Sequence, residues 1–272
     1  MLFRSRLPRE CLSIVRPRSR CPGCLRPIPW HENLPVVSWL LLRGRCAGCG
    51  TGISPRYPGV EALTAGLFIL AAQELLGRSP AVPPHEAAVV WAARAFLLSL
   101  LVVTTFIDLD HRIIPAAVTR WPSALAPAAA ALFPFLHAPV EAPFEALHRA
   151  SPALAAVAAS GLGILTGWGI IYAVRVLGGI LFRKEAMGMG DVWLLGMLGG
   201  WMGWRSAILV LVLACFLGAV IGGLRWMLTG DRTMAFGPYL AVAAGGILLY
   251  RPLLLKAVGL YALWIRGLAG IP

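Results

Sequence analysis

The sequence predicts an all-α polytopic membrane protein of six to eight transmembrane helices, preceded by a small polar N-terminal segment. Three observations carry that reading. Hydrophobic residues make up 58% of the chain and charged residues 13%, with a mean hydropathy of +0.76, outside the range of ordinary soluble domains. Apolar stretches recur along residues 59–272 at lengths near the roughly 20 residues that cross a bilayer core. Residues 1–58, by contrast, have little apolar continuity and carry ten arginines against Glu10 and Glu32.

Taken in order, residues 1–58 form an Arg-, Pro- and Cys-rich unit, too small for a large core and therefore expected to need a staple. The chain starts with a basic stretch but no apolar core of a signal peptide follows it. The second region, 59–272, is the membrane region. Candidate spans lie near 59–77, 86–107, 116–137, 153–182, 191–204, 205–228, 235–250 and 252–265. The short ones, 191–204 and 252–265, could instead be re-entrant or interfacial. Residues 78–84 and 112–115 read as tight Pro-containing connections, and 139–152 as a longer linker with a surface helix. Residues 182–190 and 230–233 are polar, Gly-containing breaks.

The formal charge of +12 is concentrated in the first segment, which the positive-inside rule assigns to the cytoplasm. Topology alone explains such arginines, so no nucleic-acid partner is expected. With 1–58 cytoplasmic, alternation brings the end of the 86–107 span, with Asp108, Asp110, His111 and Arg112, back to the cytoplasmic face. The 153–182 span returns to the same face with Arg183, Lys184, Glu185 and Asp191. Two acidic spots separated in sequence are thus expected to share one side of the membrane and one site.

Cys21-Pro22-Gly23-Cys24 and Cys46-Ala47-Gly48-Cys49 are two C-x-x-C pairs separated by Leu25 to Arg45. Each loop offers two thiolates to one side of an ion, so Cys21, Cys24, Cys46 and Cys49 fit a tetrahedral zinc site in a zinc-ribbon-like segment. The alternative is a pair of disulfides, which a reducing cytoplasmic setting disfavours. Four thiolates leave no open position, so the metal's role is structural. Cys215, in an apolar stretch, reads as a small packing residue.

Only four aspartates occur: Asp108, Asp110, Asp191 and Asp231. A carboxylate near lipid is costly, and it pairs with something or does chemistry. Two converging carboxylates that share a proton can activate water with one and protonate a carbonyl or leaving amine with the other. Asp191 follows Gly188-Met189-Gly190, where glycines allow close backbone approach. The alternative is a plain N-cap, the usual place of aspartate at a helix start. Asp108 and Asp110 point about 200° apart on a helix, so one of them faces a partner. The residues alone leave the choice even.

Together these features resemble the bacterial type IV prepilin peptidases, membrane aspartic proteases with a GxGD motif. The resemblance rests on both cysteine knuckles, Ser38-Trp39, Ile53-Ser54 and the run Arg56 to Glu61. It rests further on Ile107-Asp108-Leu109-Asp110 through Ile114-Pro115, Gly188-Met189-Gly190-Asp191 and Phe236-Gly237-Pro238-Tyr239. The resemblance implies Asp108 and Asp191 as the catalytic pair and Cys21, Cys24, Cys46 and Cys49 as the metal ligands. It implies cleavage of the basic leader of prepilins or pseudopilins at the cytoplasmic face of the bacterial inner membrane. S-adenosylmethionine enters as methyl donor where the new N-terminus is also methylated. Three departures stand out. Only Met1 to Ser5 precede Arg6-Leu7-Pro8, where the family usually has a transmembrane helix, so that helix is either absent or lost to a late start. Ala116 replaces an aspartate or asparagine, and Trp193 replaces a lysine.

The sequence reading is therefore a membrane aspartic endopeptidase, with two rivals. One is a non-catalytic zinc-ribbon scaffold of a pilus or secretion assembly; the other is a proton-coupled transporter using its intramembrane aspartates.

Overall fold

The computed structural model describes residues 19–76, 83–137, 144–183, 187–230 and 235–250. The expected span near 252–265, the segment before Arg6-Leu7-Pro8, Cys11, Lys184, Glu185 and Asp231 lie outside them. The chain divides into two compact units, Met1–Ile69 and Leu70–Pro272.

The first unit is held by its two knuckles, which repeat one backbone pattern. The Cys21 N–H donates to Arg26 O and the Leu25 N–H to Cys21 O; likewise Cys46 N–H donates to Thr51 O and Gly50 N–H to Cys46 O. Isolated bridges pair Arg20 with Pro27 and Arg45 with Gly52. Both knuckles need a left-handed residue just after the second cysteine, supplied by Leu25 at φ 58° and Gly50 at φ 73°. Between them lies the short helix α1 (Val37–Leu41). The Trp39 indole N–H donates to Ile53 O at 3.0 Å and its ring covers Gly44, where a Cβ would come within 2.9 Å. Arg26 and Glu32 form an ion pair at 2.6 Å. Helix α2 (Arg56–Leu76) begins in this unit, and its Glu61 accepts the Val36 N–H at 2.8 Å.

The second unit contains α3 (Pro84–His111), α4 (Ala116–Leu132), α5 (Glu145–Ala150), α6 (Pro152–Phe182), α7 (Met189–Met202), α8 (Trp204–Thr229) and α9 (Gly237–Tyr250). Local signals set the boundaries. Proline at the first turn starts α3 and α6, where a missing N–H is harmless. Ser151 caps α6 by accepting the Leu154 N–H. Left-handed residues Arg112, Arg183 and Gly230 end α3, α6 and α8.

Helices α3, α6 and α8 are long and apolar enough to cross a membrane, and α8 shows how such a helix meets lipid. Its buried stripe is Ser206, Ala207, Val210, Ala214, Gly218 and Gly222. Its outward face carries Val212, Phe216, Val220, Leu224, Met227 and Leu228. Small residues inside and large apolar ones outside is the pattern of helices packed in a bilayer. Cys215 is exposed on α8, so it is no core-packing residue as expected from sequence.

The expected short span 191–204 is α7, the centre of the unit. Asp191, Val192 and every residue from Leu194 to Gly200 are buried. At 14 residues it rises about 21 Å, short of the roughly 30 Å hydrocarbon core. It is apolar on all sides because protein surrounds it. Glycines let α6 approach closely: a Cβ on Gly163 would strike the Gly199 carbonyl, and one on Gly167 the Leu195 carbonyl. The Gly200 carbonyl accepts the Ser160 hydroxyl at 2.8 Å and lies 2.9 Å from His137 Nε2. On another side, the Trp201 indole N–H donates to Pro122 O of α4 at 2.9 Å, and its ring meets Phe96 of α3 at 5.5 Å.

Candidate active site

At one end of this unit, four helix termini come together: the C-terminus of α3 and the N-termini of α4, α7 and α9. Asp108 lies in the last turn of α3, where Arg112 closes the helix by donating its N–H to Asp108 O at 2.8 Å. The Asp108 side chain is 5% exposed, whereas Leu109 and Asp110 are exposed. The helix geometry expected from sequence thus separates the two acids, and Asp108 is the one turned inward.

Asp191 sits in the first turn of α7 and is 9% exposed. The N-cap itself is Gly188, so the aspartate lies three residues inside the helix and not at the cap position. From there its carboxylate reaches back to the Gly188 backbone, the return arm of a capping box. Arg175 of α6 donates to Met187 O at 2.9 Å and fixes the turn before Gly188. Asp191 Oδ1 is buried without a hydrogen-bond partner among the described residues. Buried polar atoms are almost always satisfied, so such an orphan calls for a reason, of which a catalytic role is one.

The two carboxylates are close enough to act on one another electrostatically. What joins them is the connection between α3 and α4. Ile114 packs over Gly190, whose Cβ would fall 2.7 Å from Ile114 Cβ, and over Gly237, whose Cβ would fall 3.0 Å from Ile114 Cδ1. The Gly237 N–H donates to Asp108 Oδ2 at 3.1 Å. Ile114 and Gly237 were visible in the sequence only as parts of motifs; their contacts to the aspartates were not. Ala116 opens α4. The departure at Trp193 finds a neighbour in Arg120, whose guanidinium lies 4.8 Å over the indole ring. Asp110 and His111 stay at the exposed end of α3. A buried carboxylate pair drawn from separate helices can hold a water and share one proton, the arrangement acid–base hydrolysis requires.

In the other unit, the four cysteines also come together. Their Sγ atoms all lie within 4.8 Å of one another, with Cys21 and Cys49 at 3.6 Å, and none is in a disulfide. A tetrahedral ion with metal–sulfur bonds of about 2.3 Å needs edges of about 3.8 Å, so the cluster fits a metal ion. The Thr51 hydroxyl, 3.1 Å from Cys49 Sγ, and the Thr51 backbone lower the Cys49 thiol to about 6. Backbone N–H groups of Cys49 and Gly48 lower Cys46. Against the Arg26 backbone N–H, partial desolvation and the neighbouring thiols push Cys24 up to about 11. Four crowded thiols cannot all ionise without a cation between them.

Comparison with known proteins reaches both units. The family model described as Bacterial Peptidase A24 N-terminal domain matches residues 1–75, and that of the Type IV leader peptidase family matches residues 95–223. A prepilin leader peptidase/N-methyltransferase of Myxococcus xanthus is 41% identical over 80% of this chain and 56% of its own length. One from Aeromonas salmonicida is 37% identical over 89% of this chain and 74% of its own. A type 4 prepilin-like proteins leader peptide-processing enzyme of Escherichia coli is 35% identical over 87% and 76%. The chain thus spans about half to three quarters of the length of these relatives. No solved structure gives a significant match. With its paired carboxylates, its cysteine knuckles and relatives that agree along most of its length, the chain belongs to the type IV leader peptidase family, a family of membrane peptidases.

Proposed function

We propose that this protein is an aspartic endopeptidase that removes the leader peptide of type IV prepilins or pseudopilins. The observation that carries the proposal is the meeting of Asp108 and Asp191, the two deeply buried acids among the described residues, at one end of an apolar helix bundle. One carboxylate takes a proton from water as it attacks the scissile carbonyl, and the other gives a proton to the leaving amine. Because the two titrate as a pair, acid and base belong to the dyad rather than to one residue.

The wider reading places 59–272 in the bacterial inner membrane with six to eight spans, and 1–58 and the dyad at the cytoplasmic face. The arginine bias of the first segment supports that orientation. Cys21, Cys24, Cys46 and Cys49 would hold a structural zinc ion, which ties the two knuckles into one unit. The relatives' names support a second activity, N-methylation of the new N-terminus from S-adenosylmethionine.

The test is cleavage of a prepilin by the full chain reconstituted in lipid, with a labelled methyl donor present. Cleavage lost in both Asp108→Ala and Asp191→Ala, with helicity retained, supports the peptidase. Cleavage by both variants contradicts the aspartic mechanism; no cleavage by the wild-type chain favours the scaffold, and proton-coupled flux in vesicles the transporter.

A further inference from the structure

We infer that the Gly237 backbone N–H is a positioning group for the Asp108 carboxylate, with Ile114 wedged between Gly237 and Gly190 as the spacer that sets the two aspartates against each other. The inference rests on the dyad reading above and adds to it the parts that hold the dyad in register.

Three contacts support it. The Gly237 N–H is in the first turn of α9, where backbone donors have no partner within the helix, and it donates to Asp108 Oδ2 at 3.1 Å. The same oxygen occupies the space a side chain would take: a Cβ on residue 237 would lie 2.5 Å from Asp108 Oδ2 and 3.2 Å from its carboxyl carbon. Glycine is therefore required for the carboxylate to come close enough to accept the bond. Ile114 then touches the glycine beside each aspartate, Gly237 through Cδ1 and Gly190 through Cβ. One side chain thus transmits the position of α9 to α7.

The arrangement gives the two acids different surroundings. Asp108 is tethered from another helix, by the Gly237 N–H of α9, whereas Asp191 is tethered within its own helix start, to the Gly188 backbone, and keeps its Oδ1 without a partner among the described residues. A tethered carboxylate loses rotamer freedom before substrate arrives, and displacement by about 1 Å costs on the order of 100-fold in rate.

Two measurements test this on the full chain in detergent micelles. With selective 15N-glycine labelling, the Gly237 amide resonance, identified by its loss in Gly237→Ala, should move upfield in Asp108→Ala and stay in place in Asp191→Ala. No movement in Asp108→Ala would overturn the inference, whatever the activity data show. In the cleavage assay, Gly237→Ala should lower kcat about 100-fold with KM within about twofold, and Ile114→Ala should lower kcat about 10-fold in the same sense. If Gly237→Ala keeps its kcat while Asp108→Ala is dead, the dyad stands and the positioning role falls. If Asp108→Ala still cleaves, the dyad reading falls while the amide shift is judged by itself. Should Gly237→Ala not fold, the resonance is assigned by dual labelling of the Phe236 carbonyl and the Gly237 nitrogen, and the test proceeds on the aspartate variants.

Discussion

The four thiols come from two knuckles that repeat the same hydrogen bonds, bridges and left-handed residue, whereas the two carboxylates come from helices with no shared local motif. The knuckles are written in sequence because each is closed within a handful of residues. The dyad depends on glycine contacts between distant helices and on one isoleucine bridging two of them. A local site is robust to changes elsewhere, while an assembled site can be broken far from its chemistry.

The largest effect should come from the carboxylates themselves. Asp108→Ala and Asp191→Ala should each lower prepilin cleavage by about 1,000-fold or more, read by single-turnover kinetics, without loss of helicity. Next, Cys21→Ser should remove about one bound metal ion per chain, measured by metal analysis of purified protein, and should loosen the first unit alone. A metal-free wild-type protein with ordered knuckles would refute the metal assignment.

Packing comes third. Gly163→Ala places a methyl group against the Gly199 carbonyl and should destabilise the second unit by about 3 kcal/mol or more, read by thermal unfolding in detergent. An unchanged Tm would mean that α6 and α7 are not locked as described. A finer comparison uses the symmetry of the knuckles. Leu25→Gly should stabilise the first unit by about 1 kcal/mol because leucine is strained at φ 58°, and Gly50→Ala should destabilise it by a similar amount. Equal signs for the two would break the symmetry argument. The smallest effect belongs to Asp110→Ala. Exposed and turned from Asp108, it should change stability by no more than about 0.5 kcal/mol and leave cleavage nearly intact. A dead Asp110→Ala would move the catalytic role within the first motif.

The sequence revealed the helices through hydropathy, since long apolar runs such as those of α3, α6 and α8 admit few other structures. It revealed both ends of the cysteine cluster through spacing. The same logic explains its failures. Hydropathy does not distinguish a buried helix from a spanning one, so it left 191–204 open between a short span and a re-entrant or interfacial segment, and only the structure shows that protein encloses α7. An aspartate after two glycines suggested an N-cap, but the N-cap is Gly188, and Asp191 stands three residues on in the first turn, bonded back to it. Helix periodicity separated Asp108 from Asp110 but could not say which faced inward; that was decided by tertiary burial. Ile114 and Gly237 carry no side-chain chemistry, so their relation to the aspartates appears only once α3, α4, α7 and α9 are placed together.

The central claim is that Asp108 and Asp191 work as one unit, and a double-mutant cycle on prepilin cleavage tests it most directly. Residual rates are compared for Asp108→Asn, Asp191→Asn and the double variant at high enzyme concentration. For a shared dyad, either substitution removes the whole function and the double variant is no slower than the singles. Losses that multiply would show that the two aspartates act independently and would contradict the account.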